Sequence, residues 1–159
     1  ANAEGAVRVE SRGEVLNQFL VEVFGQILKA EAACLAGKDL SLRELHLIDA
    51  VCRAVDQGGD NRSTAIAAAL GITAGTLTSA VNLLEKKGYL LRRRDERDKR
   101  VVHLLPTERG RAADARHRDF HRQMVAHVLD GLTDEEAECT LRALGRVAEF
   151  FRRGAPERG

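Results

Sequence analysis

The chain has 159 residues, 44% of them hydrophobic, which is enough for one domain or two small lobes with a buried core and excludes global disorder. Its formal net charge is only +1, so bulk charge does not by itself select a nucleic-acid partner. Three scattered cysteines, Cys34, Cys52 and Cys139, form no CxxC pair and no disulfide framework, which points to a reducing cytoplasm. No apolar run approaches a membrane span, and the opening ANAEGAVRVESRGE lacks the apolar core of a secretion signal.

Residues 1–12 are expected to be frayed. A first helix is predicted from about Gly13 to Leu35, because Val15, Leu16, Phe19, Leu20, Val23, Phe24, Ile27 and Leu28 keep a three-four repeat; Gly37 ends it. Ser41 with Glu44 is a capping-box pattern opening a second helix through Leu42, Leu45, Ile48, Val51 and Val55, and QGGDN (Gln57 to Asn61) is a turn. A short helix from Ser63 to Leu70, a turn at Gly71 and a longer helix from Thr73 to Lys87 give the helix-turn-helix order. Gly88 stops the last of these. A hairpin follows over Tyr89–Arg94 and Arg100–Leu105, broken by Pro106. A long helix is predicted from about Thr107 to Asp130. Thr133 with Glu136 caps a final helix carrying Leu141, Leu144, Val147, Phe150 and Phe151, and residues 153–159 form a polar tail.

The stretch from Thr73 to Leu104 carries most of the functional signal. At 100° per residue from Leu77, the residues Ala80, Val81 and Leu84 share an inward face. Gly75, Ser79, Asn82 and Lys86 fall opposite, with Thr76 and Thr78 on the flanks. Short hydrogen-bonding side chains allow close approach to base edges in a major groove: Asn can pair with adenine, and Thr can meet a thymine methyl or a phosphate. Thr73 is the expected N-cap, and the helix N-terminus behind it favours phosphate. The ribbon that follows is strongly basic, with eight Lys/Arg against three Asp/Glu between Lys86 and Arg100. Arg97 sits at the hairpin apex, suited to a narrow minor groove, Arg92, Arg93, Arg94 and Lys99 suit phosphates, and Arg100 is a further candidate DNA contact. Asp95 and Asp98 are read as struts that hold Arg97 and Arg100. A solvated helix face and a solvated charge run are the plainer alternatives.

The order of helices, and GTLTSAVNLLEKKGYLLRRRDERDKRVVHLLPTERGR in particular, resembles the MarR family of dimeric winged-helix regulators. The wing motif D-x-R-x-x-R is present as Asp95, Arg97 and Arg100, and T-x-x-G follows as Thr107 to Gly110. The resemblance covers nearly the whole chain from about Gly13. It implies a mainly α fold, a winged helix-turn-helix with a helical dimerisation lobe from both termini. Residues 41–106 would form the DNA-binding domain, and 13–40 with 107–152 the dimerisation region. Leu16, Phe19, Leu20, Val125, Leu141, Leu144, Phe150 and Phe151 would include dimer-core residues, and a two-fold dimer implies an inverted-repeat operator on double-stranded DNA.

LSLRELHLID (Leu40 to Asp49), NLLEKKGY, KRVVHL and RHRDFHRQMVAHVLDGLTDEE (Arg116 to Glu136) resemble more closely the fatty-acid-synthesis repressors of that family. That likeness implies long-chain acyl-acyl-carrier-protein as a corepressor. Acyl carrier protein is acidic, so Arg109, Arg111, Arg116, Arg118 and Arg122 are candidates for docking it, and an acyl chain would need an apolar tunnel near the first two helices and the start of the fifth. Other regulators of this type sense zinc, for which Cys34, Glu44, His117 and His121 are the matching residues, with His46 nearby. His117 and His121, one turn apart, could instead be structural or line a ligand pocket. The cysteines could be redox sensors, but buried, inert thiols are the simpler expectation. No cofactor is required on this reading, and no G-x-S-x-G, HExxH or phosphate-binding loop suggests an enzyme. A module using the basic ribbon to hold acidic protein partners is the alternative from another class.

Overall fold

The computed structural model describes residues 2–35 and 39–153. The expected helix stop at Gly37 and all but the first residue of the polar tail lie outside the described residues. In chain order the elements are α1 (Asn2–Cys34), α2 (Leu42–Asp56), α3 (Ser63–Leu70), α4 (Ala74–Lys86), β1 (Leu90–Arg94), β2 (Val102–Pro106), α5 (Glu108–Asp130) and α6 (Asp134–Arg152). This is a mainly α, winged helix-turn-helix fold. Two boundaries differ from expectation. α1 begins at Asn2 and takes in the segment expected to be frayed, since no proline interrupts NAEGAVRVESRG. β2 starts two residues later than expected, because Arg100 belongs to the tip turn, and it runs through Pro106. The proline is tolerated as the last residue of the strand, opposite Leu90, where no further ladder bond is needed.

The chain forms two compact units, residues 1–118 and 119–159, with the division inside α5 rather than at residue 107. The start of α5 belongs to the first unit because it is tied to the turn before β1. The Thr107 hydroxyl donates to the Gly88 carbonyl (2.7 Å) and accepts from the Gly110 amide (3.0 Å). Gly110 lies so close to that turn that a Cβ would sit 2.2 Å from the Tyr89 carbonyl oxygen. The T-x-x-G motif is therefore a packing joint, and any side chain at Gly110 would force α5 away.

The core of the first unit is built from α2, α3, α4 and the hairpin, with Leu45, Ile48, Val51, Leu77, Val81, Leu84, Leu90 and Leu104 fully or nearly fully buried. Both ends of the expected pattern hold. Ser41 and Glu44 form a reciprocal capping box on α2, and Thr133 and Glu136 form one on α6. α3 ends at Gly71, whose φ of 64° only glycine adopts cheaply, and that residue turns the chain into α4. β1 and β2 pair antiparallel, and an isolated bridge from Arg62 to His103 ties the loop before α3 to the ribbon. In the second unit α6 is capped and amphipathic, yet none of its residues is buried.

Candidate nucleic-acid interface

α4 divides as its sequence requires. Leu77, Val81 and Leu84 are buried with Ala80 packed against them, while Gly75, Thr76, Thr78, Ser79, Asn82 and Lys86 are exposed. Thr73 is the N-cap: its hydroxyl accepts from the Thr76 amide (3.1 Å) and meets the Thr76 hydroxyl at 2.9 Å. That contact leaves the remaining first-turn amides facing solvent, an arrangement that favours an anion.

The ribbon tip is shaped by its acids. Asp95 Oδ1 accepts from the backbone amides of Arg97 (2.8 Å) and Asp98 (2.9 Å), and those two amides, Asp98 first, hold its carboxyl below the ordinary range. Asp98 in turn accepts from the Arg100 amide at 3.0 Å and, weakly, from its Nε at 3.4 Å. The acids thus fix the backbone of the turn. Of the two guanidinium groups the acids are expected to hold, Arg100 is met by Asp98 at 3.4 Å, while Arg97 is left exposed at the apex; Arg93, Arg94, Lys99 and Arg100 are exposed as well.

Arg92 departs from expectation. It is half-buried and turned back onto α4 rather than toward a phosphate row. Its Nη1 donates to Asn82 Oδ1 (2.6 Å) and Glu85 Oε2 (2.5 Å), its Nη2 donates to the Thr78 carbonyl (3.1 Å), and its backbone amide donates to Glu85 Oε1 (3.1 Å). A guanidinium holding three acceptors on one helix is a clamp between ribbon and reading helix. Beside it, a cleft of about 240 Å³ is lined by Ser63, Thr78, Asn82, Arg92 and apolar neighbours.

A second joint was not legible in the sequence. Asn61 donates from Nδ2 to the Leu104 carbonyl (2.9 Å), so its Oδ1 is the atom left to accept from His103 Nδ1 (2.8 Å), which fixes the proton on that nitrogen. His103 Nε2 lies 3.3 Å from Asp95 Oδ2. The loop before α3 is thereby connected through one imidazole to the acid that shapes the tip. At that loop Asp60 is held at a pKa of about 2, first by the Arg62 side chain and then by the Arg62 amide.

The remaining candidates are less well gathered. Glu44 Oε2 takes the Ser41 amide and hydroxyl, and its Oε1 takes Lys87 Nζ at 2.7 Å, so both oxygens are committed. The carboxylate facing His117 is Glu31, at 3.0 Å from Nε2, with His46 Nε2 at 3.7 Å from the same oxygen. Cys34 is exposed, and His121 lies one turn further along α5, in the second unit. Of the expected set, Glu44 is committed to Lys87 and its cap, and the carboxylate that stands at His117 in its place is Glu31. Burial pushes the Cys52 thiol up to about 12, which makes it inert, whereas Cys34 and Cys139 are exposed, contrary to the expectation of buried thiols. Of the expected docking arginines, Arg109 pairs with Asp39, Arg111 and Arg118 with Asp56, and Arg122 with Asp119, and all four, like Arg116, are exposed.

Residues 51–102, which run from the last turns of α2 through α3, α4 and β1 to the first residue of β2, match the MarR family. The fold resembles that of Streptococcus pneumoniae FabT, solved in complex with DNA, with 34% identity over 88% of this chain and 97% of that one and a TM-score of 0.79. The chain belongs to the MarR family. A MarR-type fold is shared more distantly with S. aureus MepR, solved as a DNA complex, at 21% identity over 83% of this chain and 96% of that one, TM-score 0.64. The HTH-type transcriptional regulator YwhA of Bacillus subtilis (strain 168) is 31% identical over 72 residues, 45% of this chain and 52% of that protein. A second regulator of the same organism, YcgE, is 31% identical over 85 residues, 51% of this chain and 53% of that one, so the match spans about half the length of these relatives. Both of these relatives are HTH-type transcriptional regulators.

Proposed function

We propose that the protein is a sequence-specific transcriptional repressor that binds an inverted-repeat DNA operator as a homodimer. One observation carries this reading: the exposed face of α4 is made of Gly75, Thr76, Ser79, Asn82 and Lys86, and the ribbon clamped beside it exposes Arg97 with four further cations. Small polar groups can approach base edges in a major groove, and a protruding guanidinium suits the adjacent minor groove. Backbone contacts from Arg93, Arg94, Lys99 and Arg100 would add affinity that falls with salt. The DNA-bound FabT structure, at 34% identity, supports the same reading.

The dimer is supported by apolar faces the single chain leaves open. Val15, Leu16, Phe19 and Phe24 on α1 are exposed, as are Leu141, Leu144, Phe150 and Phe151 on α6. Apolar stripes of this length on two long helices fit a second copy of the chain. Two copies would set two reading helices about 34 Å apart, one DNA turn. An effector would act by changing that spacing.

Control of fatty-acid synthesis with an acyl-acyl-carrier-protein corepressor is the finer form of this reading, and the likeness to FabT supports it.

The test is anisotropy titration of a duplex enriched from a random pool, at several salt concentrations. The dimer should bind tightly with a steep negative salt slope, and Arg97→Ala should lose at least about tenfold in affinity with sedimentation unchanged. Equal affinity for enriched and scrambled duplexes, or full affinity in Arg97→Ala, contradicts the proposal. Adding acyl carrier protein loaded with a long acyl chain tests the finer reading.

A further inference from the structure

Glu85 is out of place by charge. It is the only acid on α4, and it stands beside a ribbon whose exposed side chains are mostly cations. A carboxylate on a surface that meets a polyanion repels it, and by charge alone its removal should strengthen binding. Its contacts give it a different part. Glu85 Oε2 accepts from Arg92 Nη1 (2.5 Å) and its Oε1 accepts from the Arg92 backbone amide (3.1 Å), so one carboxylate grips β1 by side chain and main chain together. The same guanidinium reaches back to the Thr78 carbonyl and spans two turns of the reading helix. Arg92 and Glu85 are 28% and 32% exposed, more sheltered than a surface ion pair that water can dissolve.

We infer that Glu85 is a positioning residue for DNA binding: it raises affinity for a polyanion by anchoring Arg92, which fixes the angle of the ribbon to α4 and so the point where Arg97 enters the duplex. This rests on the DNA-binding reading proposed above and adds a residue to it. Among the described residues, the side-chain hydrogen bonds that join the ribbon to α4 are those of Arg92 and Glu85. The other tie, from Asn61 to His103, holds the ribbon to the loop before α3 instead. Side chains alternate along a strand, and Arg92 lies opposite the buried Leu104, so the anchor is on the core face at the foot of the ribbon. Every residue from Arg93 to Arg97 lies beyond it, and a rotation at the foot is magnified at the apex. The Glu85 charge is offset by the Arg92 guanidinium at contact distance, so little of it is left to repel phosphate. Arg92 in turn is spent on the anchor, unlike Arg93 and Arg94, which are exposed on the same strand.

The experiment measures affinity for the enriched duplex in wild type, Glu85→Ala, Arg92→Met, their double variant and Glu96→Ala, and repeats Glu85→Ala in an Arg97→Ala background. Glu85→Ala should weaken binding on the order of tenfold although it removes a negative charge. Glu96 is exposed at the ribbon tip, and Glu96→Ala, the same change of charge, should bind at least as tightly as wild type. The double variant should be no weaker than the weaker single one, because both break one joint. With Arg97 already lost, Glu85→Ala should cost less than about twofold, since the group it positions is gone. Circular dichroism and melting keep misfolded variants from counting as loss of binding, and if Glu85→Ala melts below the assay temperature, the isosteric and uncharged Glu85→Gln carries the same comparison. Folded Glu85→Ala that binds as tightly as wild type or tighter overturns the inference. An equal loss with and without Arg97 overturns it too, because the effect then does not pass through the tip. Failure to enrich any duplex overturns the DNA reading itself, a result distinct from both.

Discussion

The winged unit and α6 are written in the same apolar code, yet they end in opposite environments. Leu45 and Ile48 on α2 are 1% and 0% exposed, whereas Leu141 and Phe151 on α6 are 64% and 69% exposed. Both helices begin with a reciprocal capping box and both keep a three-four repeat. The difference is in what lies opposite. α2 meets α3 and β2, and its last residue, Asp56, pairs with Arg111 and Arg118 at the foot of α5, while the apolar stripe of α6 is left open by its own chain. An amphipathic repeat states that a face must be covered, but it does not say whether the cover is the same chain or another copy.

That contrast can be broken at several points. The largest effect is expected inside the closed core. Ile48→Ala removes a fully buried side chain and should lower stability by roughly 2–5 kcal/mol in urea melts, with little dependence on protein concentration. Phe151→Asp on the open face should do the reverse. The helix should persist by circular dichroism, but sedimentation should show at least about tenfold weaker self-association, because a charge is placed where a partner's apolar surface is proposed. If Phe151→Asp stays a full-affinity dimer, α6 is not the covered face.

A smaller change sharpens the account of the winged unit. Burial raises the Glu44 carboxyl, but Lys87 and the Ser41 amide and hydroxyl outweigh it and leave the group below its ordinary value of 4.5. A carboxyl with a depressed folded pKa stabilises the fold above that ordinary value and loses the contribution as pH falls through the folded one. Glu44→Gln should therefore cost about 1–2 kcal/mol near neutral pH, and the gap to wild type should close in acid melts. A constant gap down to strongly acid pH would detach the effect from the carboxylate charge.

The parts of this molecule fixed by local rules were readable from the chain. Ser41 with Glu44, Thr133 with Glu136, Gly71 before α4 and the inward set Leu77, Val81 and Leu84 each follow from spacing within a few residues. What the sequence hid depends on which side chains the fold brings together. Arg92 reads as one more cation in a run of three arginines; only the antiparallel ribbon places it against Asn82 and Glu85. His103 and Asn61 are 42 positions apart, and the bridge at Arg62 that aligns them carries no motif. Glu44 reads as a metal ligand by resemblance, and Lys87, on the far side of the reading helix in sequence, takes it. Helical periodicity named the outward face of α4 but not Arg92, the partner that meets Asn82 on it.

Hydroxyl-radical footprinting of the enriched duplex tests the central claim most directly. Two copies of a reading helix and an arginine-tipped ribbon should protect two blocks related by a two-fold axis, about one helical turn apart, each flanked by minor-groove protection that Arg97→Ala erases. A single asymmetric block, or protection that survives loss of Arg97, would contradict it.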